Sequence, residues 1–130
     1  MAANLNSDIR AAIESKVADI FPTTPTAWHN VPFSPPNALW IHPIVTYGGE
    51  GAIAHSNDQL SGAFVLEIFA PLSQGDAPLL AAIATAKTNF YRKRISDVYI
   101  QSILAVRDLT EINNFNGKAI DFAFNAISNF

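Results

Sequence analysis

The stretch Leu60 to Ala70, LSGAFVLEIFA, decides the fold. Phe64, Leu66 and Ile68 fall on one side of an extended chain, and Ala63, Val65, Glu67 and Phe69 fall on the other. That alternation has the period of two that belongs to a sheet and not to a helix. Its second face is also rather apolar, with Glu67 the only charge.

Downstream, Pro71 to Gly75 reads as a turn, Asp76 as a helix N-cap, and Pro78 falls in the first turn, where a missing N–H does no harm. The helix that follows carries Leu79, Leu80, Ile83, Ala86 and Phe90 as its buried stripe, and Arg92, Lys93 and Arg94 gather at its end, where the helix dipole is negative. Two strands complete this half. Val98 to Arg107 alternates Val98, Ile100, Ser102, Leu104 and Val106, and Gly117 to Ile127 sets Ile120, Phe122, Phe124 and Ala126 on one face. Asn113 to Gly117 is the expected turn between them.

Upstream, Gly48 to Gln59 (GGEGAIAHSNDQ) has three glycines and no apolar period, so it reads as a flexible loop or extended hairpin tip. Leu39 to Tyr47 is rich in β-branched and aromatic residues, and Pro43, which cannot donate to a ladder, predicts an edge strand or a bulge. Residues 22–37 hold five of the eight prolines and read as a stiff crossing, with room for a short strand at Thr26 to Asn30 and with Trp28 and Phe33 pinning it to the core. From Ser7 to Phe21, Ile9, Ile13, Val17, Ile20 and Phe21 recur at helical steps; Asn6 or Ser7 is placed to cap the helix, Asp8 suits its positive end, and Pro22 ends it. The order helix, strands, helix, strands predicts an α+β fold: a mostly antiparallel sheet of four to five strands with two helices packed on one face, in a single domain over residues 1–130.

At 130 residues the chain is long enough to bury roughly two-thirds of its unfolded surface, so it needs no metal or disulfide to fold. It has no cysteine, which removes thiolate nucleophiles, Cys-type zinc sites and iron–sulfur ligation. A formal net charge of −3 argues against a general nucleic-acid binder. Only 15% of the residues are charged, against about 25% in an average soluble domain. Either a partner covers some of the surface, or Asn, Ser, Thr and Gln carry solubility in place of charge. The first ten residues lack the basic and apolar regions of a secretory signal, and no apolar run approaches the roughly 20 residues of a membrane span, so the reading is a soluble protein with no membrane partner.

Catalytic signatures are missing: there is no phosphate loop, nucleophile elbow, zinc helix motif or dinucleotide fingerprint, and GGEG at 48–51 leads into strand-like sequence where a phosphate cradle needs a helix. His29, His42 and His55 form no ligand-spaced pair. His29 and His42 read as packed or surface residues, and His55 with Asp58 is a weak metal candidate. Glu67 becomes acid/base machinery only if a second acid such as Asp121 faces it across the sheet; otherwise it is a solvated or interface charge. Arg92 to Arg94 suits either an acidic partner or a helix end with none. No cofactor or metal is expected, and the protein reads as a non-enzyme. A small ligand-binding or enzymatic domain, using Glu67, Asp121 or His42 between helix and sheet, is the alternative.

Residues 26–36, TAWHNVPFSPP, with ALWIHPIV at 38–45 and SGAFVLEIFAPLSQG at 61–75, resemble the tail-terminator family of long-tailed bacteriophages, related to the lambda-type minor tail protein U. The pieces that carry the resemblance are Trp28, Asn30, the Pro32-Phe33 pair, the strand starting near Leu39, the G-x-F-x-L-x-I-F-x-P run from Gly62 to Pro71, and the small-residue helix after Gly75. These are structural motifs and not catalytic ones. The resemblance implies a virion subunit that assembles as a homo-oligomeric ring, a hexamer in that family, on the head-proximal end of the tail. The ring stops the major tail tube protein from polymerising and meets a head–tail connector or stopper, and DNA passes through its lumen without sequence-specific binding. Assembly takes place in the host cytoplasm. On this reading Gly48, Gly49, Glu50, Ile53, His55 and Asp58 of the loop, together with Glu67, Arg92, Lys93 and Arg94, are interface candidates, while catalytic, cofactor and metal sites are absent. Another neck or tail-completion protein is the variant of the same reading.

Overall fold

A computed structural model describes residues 5–47, 59–96 and 98–127. Helix α1 (Leu5–Ile20) leads into an irregular crossing, followed by strand β1 (Trp40–Tyr47), strand β2 (Gln59–Pro71), a 3₁₀ turn (Leu72–Gln74), helix α2 (Ala77–Phe90) and strands β3 (Arg94–Ile95), β4 (Val98–Ile112) and β5 (Phe115–Ile127). The five strands form one antiparallel sheet in the order β1-β2-β5-β4-β3, giving an α+β architecture. Pro43 does lie on an edge strand, as its missing donor requires.

Alternation sorts the side chains onto two faces. Ile41 and Val45 of β1, Phe64, Leu66 and Ile68 of β2, Val98 and Ile100 of β4, and Ile120, Phe122, Phe124 and Ala126 of β5 are buried in one cluster with Ile9, Ile13 and Val17 of α1 and Leu79, Ile83, Ala86 and Phe90 of α2. Both helices therefore lie on one face. Phe64, Phe90 and Phe122 form its centre, with ring centroids 4.9 to 5.7 Å apart. At 16 residues, α1 is about 24 Å long, enough to span the roughly 19 Å width of five strands, and it touches β1 at one side and β3 and β4 at the other. Gly62 keeps this packing possible, because a Cβ there would lie 2.2 Å from the Thr46 carbonyl oxygen and 2.7 Å from Phe124.

Several local expectations are corrected. Asn6 and Ser7 lie within the first turn of α1, because the helix begins at Leu5. The strand expected at Thr26 to Asn30 shrinks to a single parallel bridge, Thr26 to Ile41, since the surrounding prolines withhold donors. Asp76 occupies the N-cap of α2 without making a side-chain cap bond. Leu80 leaves the expected stripe and is 55% exposed. The turn before β5 contains only Asn113 and Asn114, both at positive φ (48° and 70°), the backbone that a two-residue type I′ hairpin requires and that Asn tolerates. The strands on either side of it are correspondingly longer than the sequence pattern implied.

Candidate interaction surface

Among the described residues no helix or strand packs on the sheet face opposite the helices, and the crossing covers one end of it through Phe33. By register, His42 of β1, Glu67 of β2, Ala119 of β5 and Arg107 of β4 stand in one row, and Ile44, Val65, Asp121 and Ala105 in the next. Two ion pairs cross these rows. His42 Nδ1 lies 3.1 Å from Glu67 Oε1, and Arg107 Nε donates to Asp121 Oδ2 at 3.0 Å. The second pair is diagonal, since Asp121 stands directly opposite Ala105, and a long guanidinium stem covers that offset. The bond to Asp121 holds the Arg107 pKa above its usual range, with a smaller Coulombic contribution from Glu67. Between the pairs the residues are small, and Ala119 is fully buried without a helix above it. Ser61 Oγ donates to Asn125 Oδ1 at 2.8 Å further along.

At one end of this face an aromatic group takes over. Trp40 stacks on Phe69 at 4.4 Å and 19°, meets Phe115 edge-on at 5.9 Å and is covered by Phe33 at 5.2 Å. Gly117 allows Phe69 to lie flat, since a Cβ at that position would come within 2.8 Å of the ring. A recess of about 160 Å³ opens here, lined by Pro35, Trp40, Phe69, Asn113 and Phe115. The Trp40 indole Nε1 is buried and has no hydrogen-bond partner among the described residues. Phe33 thus anchors the crossing to Trp40, whereas Trp28 packs against the main core.

The expected Glu67–Asp121 carboxylate pair does not form. Glu67 takes His42 and Asp121 takes Arg107, and all four sit on the side of the sheet away from the helices. The pocket between helix and sheet proposed for Glu67, Asp121 and His42 is therefore not where these residues lie. No three His, Asp or Glu gather to hold a metal among the described residues. His29 is exposed beside β1. Arg92, Lys93 and Arg94 are exposed but lie past the helix, which ends at Phe90 and has only Lys87 as a basic residue in its last turn. Arg92 adopts φ 56° in the reversal into β3, with its guanidinium 5.4 Å from the Tyr91 ring, and Arg94 Nε donates to the Ser96 carbonyl at 3.1 Å. The loop candidates Gly48, Gly49, Glu50, Ile53, His55 and Asp58 lie outside the described residues. Arg107 with Asp121 and Lys118 with Asp108 were not singled out from the sequence; strand register brings each pair together.

No family model matches this chain, and no curated protein matches it. Solved structures do. One, known only by a sequence identifier, shares 20% identity over 98% of this chain and 99% of its own, with a TM-score of 0.75. A chain from the virion of a native gene transfer agent particle shares 17% identity over 91% of this chain and 92% of its own, with a TM-score of 0.58. At these identities the likeness is one of fold. No described helix is long and apolar enough to cross a membrane.

Proposed function

We propose that this chain is a structural subunit of a phage-like virion, and within that class a tail terminator. Six copies would form a ring on the head-proximal end of the tail tube, stopping the tube protein and presenting a surface to the head–tail connector, with DNA passing through the lumen unread. The observation that carries the reading is the likeness of fold, over 91% of this chain and 92% of the other, to a chain of a gene transfer agent virion. The resemblance of TAWHNVPFSPP and the Gly62 to Pro71 run to tail terminators narrows the class. The low charge fraction and the helix-free sheet face suit a subunit whose surface is shared with neighbours. On this reading the loop from Gly48 to Gln59 would meet the tube or a neighbour, and Arg92 to Arg94 with the sheet edges would contribute to the ring interface.

The test is native mass spectrometry with negative-stain imaging over a concentration series, with and without the candidate tube protein. Rings, or caps seen at one end of tubes only, are the expected result. A monomer or closed dimer that ignores the tube overturns the reading. Reversing Arg92, Lys93 and Arg94 to Glu is expected to weaken ring assembly less as salt rises, because exposed charges are screened within about 10 Å at 0.1 M; unchanged assembly removes that cluster from the interface.

A further inference from the structure

The two edges of the sheet differ. On β1, the backbone groups of Ile41 point away from β2 and are already bonded: its N–H donates to the Pro25 carbonyl at 3.0 Å, and its carbonyl accepts from Ala27 N–H at 2.8 Å. By the two-residue period the next outward positions are Pro43, which has no donor, and Val45. The crossing segment pairs with β1 only at Thr26, so past Ile41 this edge is open among the described residues. On β4, β3 covers only Val98 and Tyr99, and Ile100 N–H donates to the Lys93 carbonyl. From Gln101 to Ile112 the outer side of β4 has no strand beside it among the described residues, and Leu104 (61%) and Val106 (44%) are exposed along that length. Long unpaired apolar edges are templates for pairing with another chain.

We infer that the open β4 edge of one copy takes the open β1 edge of a second copy, head to tail, so that the sheet continues from subunit to subunit. This rests on the ring reading above and specifies its contact. Three observations select this occupant. The two strands run in opposite directions within the sheet, so a neighbour rotated about an axis along the strands sets its β1 antiparallel to β4, in keeping with every other pair. Register shifts at Ile100/Ser102, Ile103/Ala105 and Leu109/Ile112 interrupt β4, whereas β1 pairs without a shift, so β1 matches this edge better than a second, equally irregular β4 does. The charges also complement each other. A cleft of about 280 Å³ beside the β1 edge is lined by Arg10, His29 and His42, while Asp108 and Glu111 are exposed on β4 beyond Arg107, the residue in the His42 row. His42 is held by Glu67 and Asp108 by Lys118, so His29 and Glu111 are the charges the contact would bring together. Two unlike patches on one subunit are what a closing ring requires.

The experiment blocks one edge at a time in the full chain. Leu104→Lys with Val106→Lys places charge on the β4 edge at exposed positions, and Val45→Pro removes the outward donor of β1; circular dichroism checks that each variant folds. Native mass spectrometry is expected to find each variant alone monomeric and their mixture a heterodimer that grows no further, since one good edge of each kind remains. A β1-blocked variant that still dimerises, or a β4-blocked variant that assembles as the parent does, overturns the pairing. Should Val45→Pro unfold, Glu111→Arg and His29→Glu replace it: each alone is expected to weaken self-association several-fold and the two in mixture to restore it, while absence of rescue counts against the contact. The two readings separate cleanly. Tube caps formed equally well by edge-blocked chains sink the pairing and keep the ring, whereas edge-dependent self-association without caps keeps the pairing and sinks the terminator role.

Discussion

On the face that carries the helices, Phe64, Phe90 and Phe122 meet ring to ring, whereas the other face sets His42–Glu67 and Arg107–Asp121 among alanines. The covered face is held by removal of apolar area from water, which is nearly indifferent to which partner does the covering. The bare face is held by pairs that exist only when four strands sit in one register. Its side chains remain half open, so each pair contributes little to stability and a good deal to the shape and charge pattern of the surface. The same sheet thus has one side on which truncation should unfold the subunit and another on which, away from the Trp40–Phe69 end, truncation should leave it standing.

The sharpest way to break this contrast is Phe122→Ala, expected to cost about 3 to 5 kcal/mol in chemical denaturation because the surrounding rings close only partly over the cavity; a loss under about 1 kcal/mol would mean that the core is loosely packed. Gly62→Ala follows, at about 1 to 3 kcal/mol, since the added methyl meets a backbone oxygen that moves only with β1. Trp40→Phe is milder. The smaller ring gives up area but also removes a buried donor with no acceptor among the described residues, and the two effects oppose each other, so a change within about 1 kcal/mol is expected by thermal melting. A loss as large as that of Phe122→Ala would show that the indole N–H has a partner.

Smaller still is Arg107→Ala, expected to cost no more than about 1 kcal/mol, as for other exposed pairs. The Lys118–Asp108 pair, on the helix-bearing face beside Asp76 at the start of α2, extends the comparison through pH. The bond to Asp108 raises the Lys118 pKa, so its stabilisation is fully present below the ordinary lysine range and is lost as pH rises through the raised value. The difference in Tm between the parent and Lys118→Met should stay flat through neutral pH and shrink only in strong alkali. A difference that changes between pH 5 and 8 would point to a different titrating partner.

Much of the covered face was legible in the sequence because burial leaves a period. The steps of Ile9, Ile13 and Val17, and the alternation of Phe64, Leu66 and Ile68, each name an inward side without reference to any other strand. The polar pairs were not legible on either face, because they depend on register. Counting back from the Asn113-Asn114 turn puts Lys118 opposite Leu109 and Asp121 opposite Val106; the shift between Leu109 and Ile112 moves both, so that Lys118 meets Asp108 and Asp121 stands against Ala105. Nothing local in Leu109-Thr110-Glu111-Ile112 announces that shift. β3 was hidden for a related reason: two residues are too few to show a period, and the basic run at 92–94 reads as a helix end until the reversal at Arg92 is seen.

The two-residue turn at Asn113-Asn114 also has a consequence for the order of events during folding. It joins the two strands whose pairing is most local in the chain, and a hairpin of this kind closes in about 1 to 10 μs. β1 and β2 are separated by the eleven residues 48–58, and α1 must return from far along the chain, so their contacts carry a larger closure entropy and come later. The strand with the longest open edge is thus among the first to be organised, before α1 and β1 have arrived. Incomplete chains at high local concentration would then be expected to meet through β4, so this chain's yield on refolding should fall with protein concentration more steeply than its native stability would suggest.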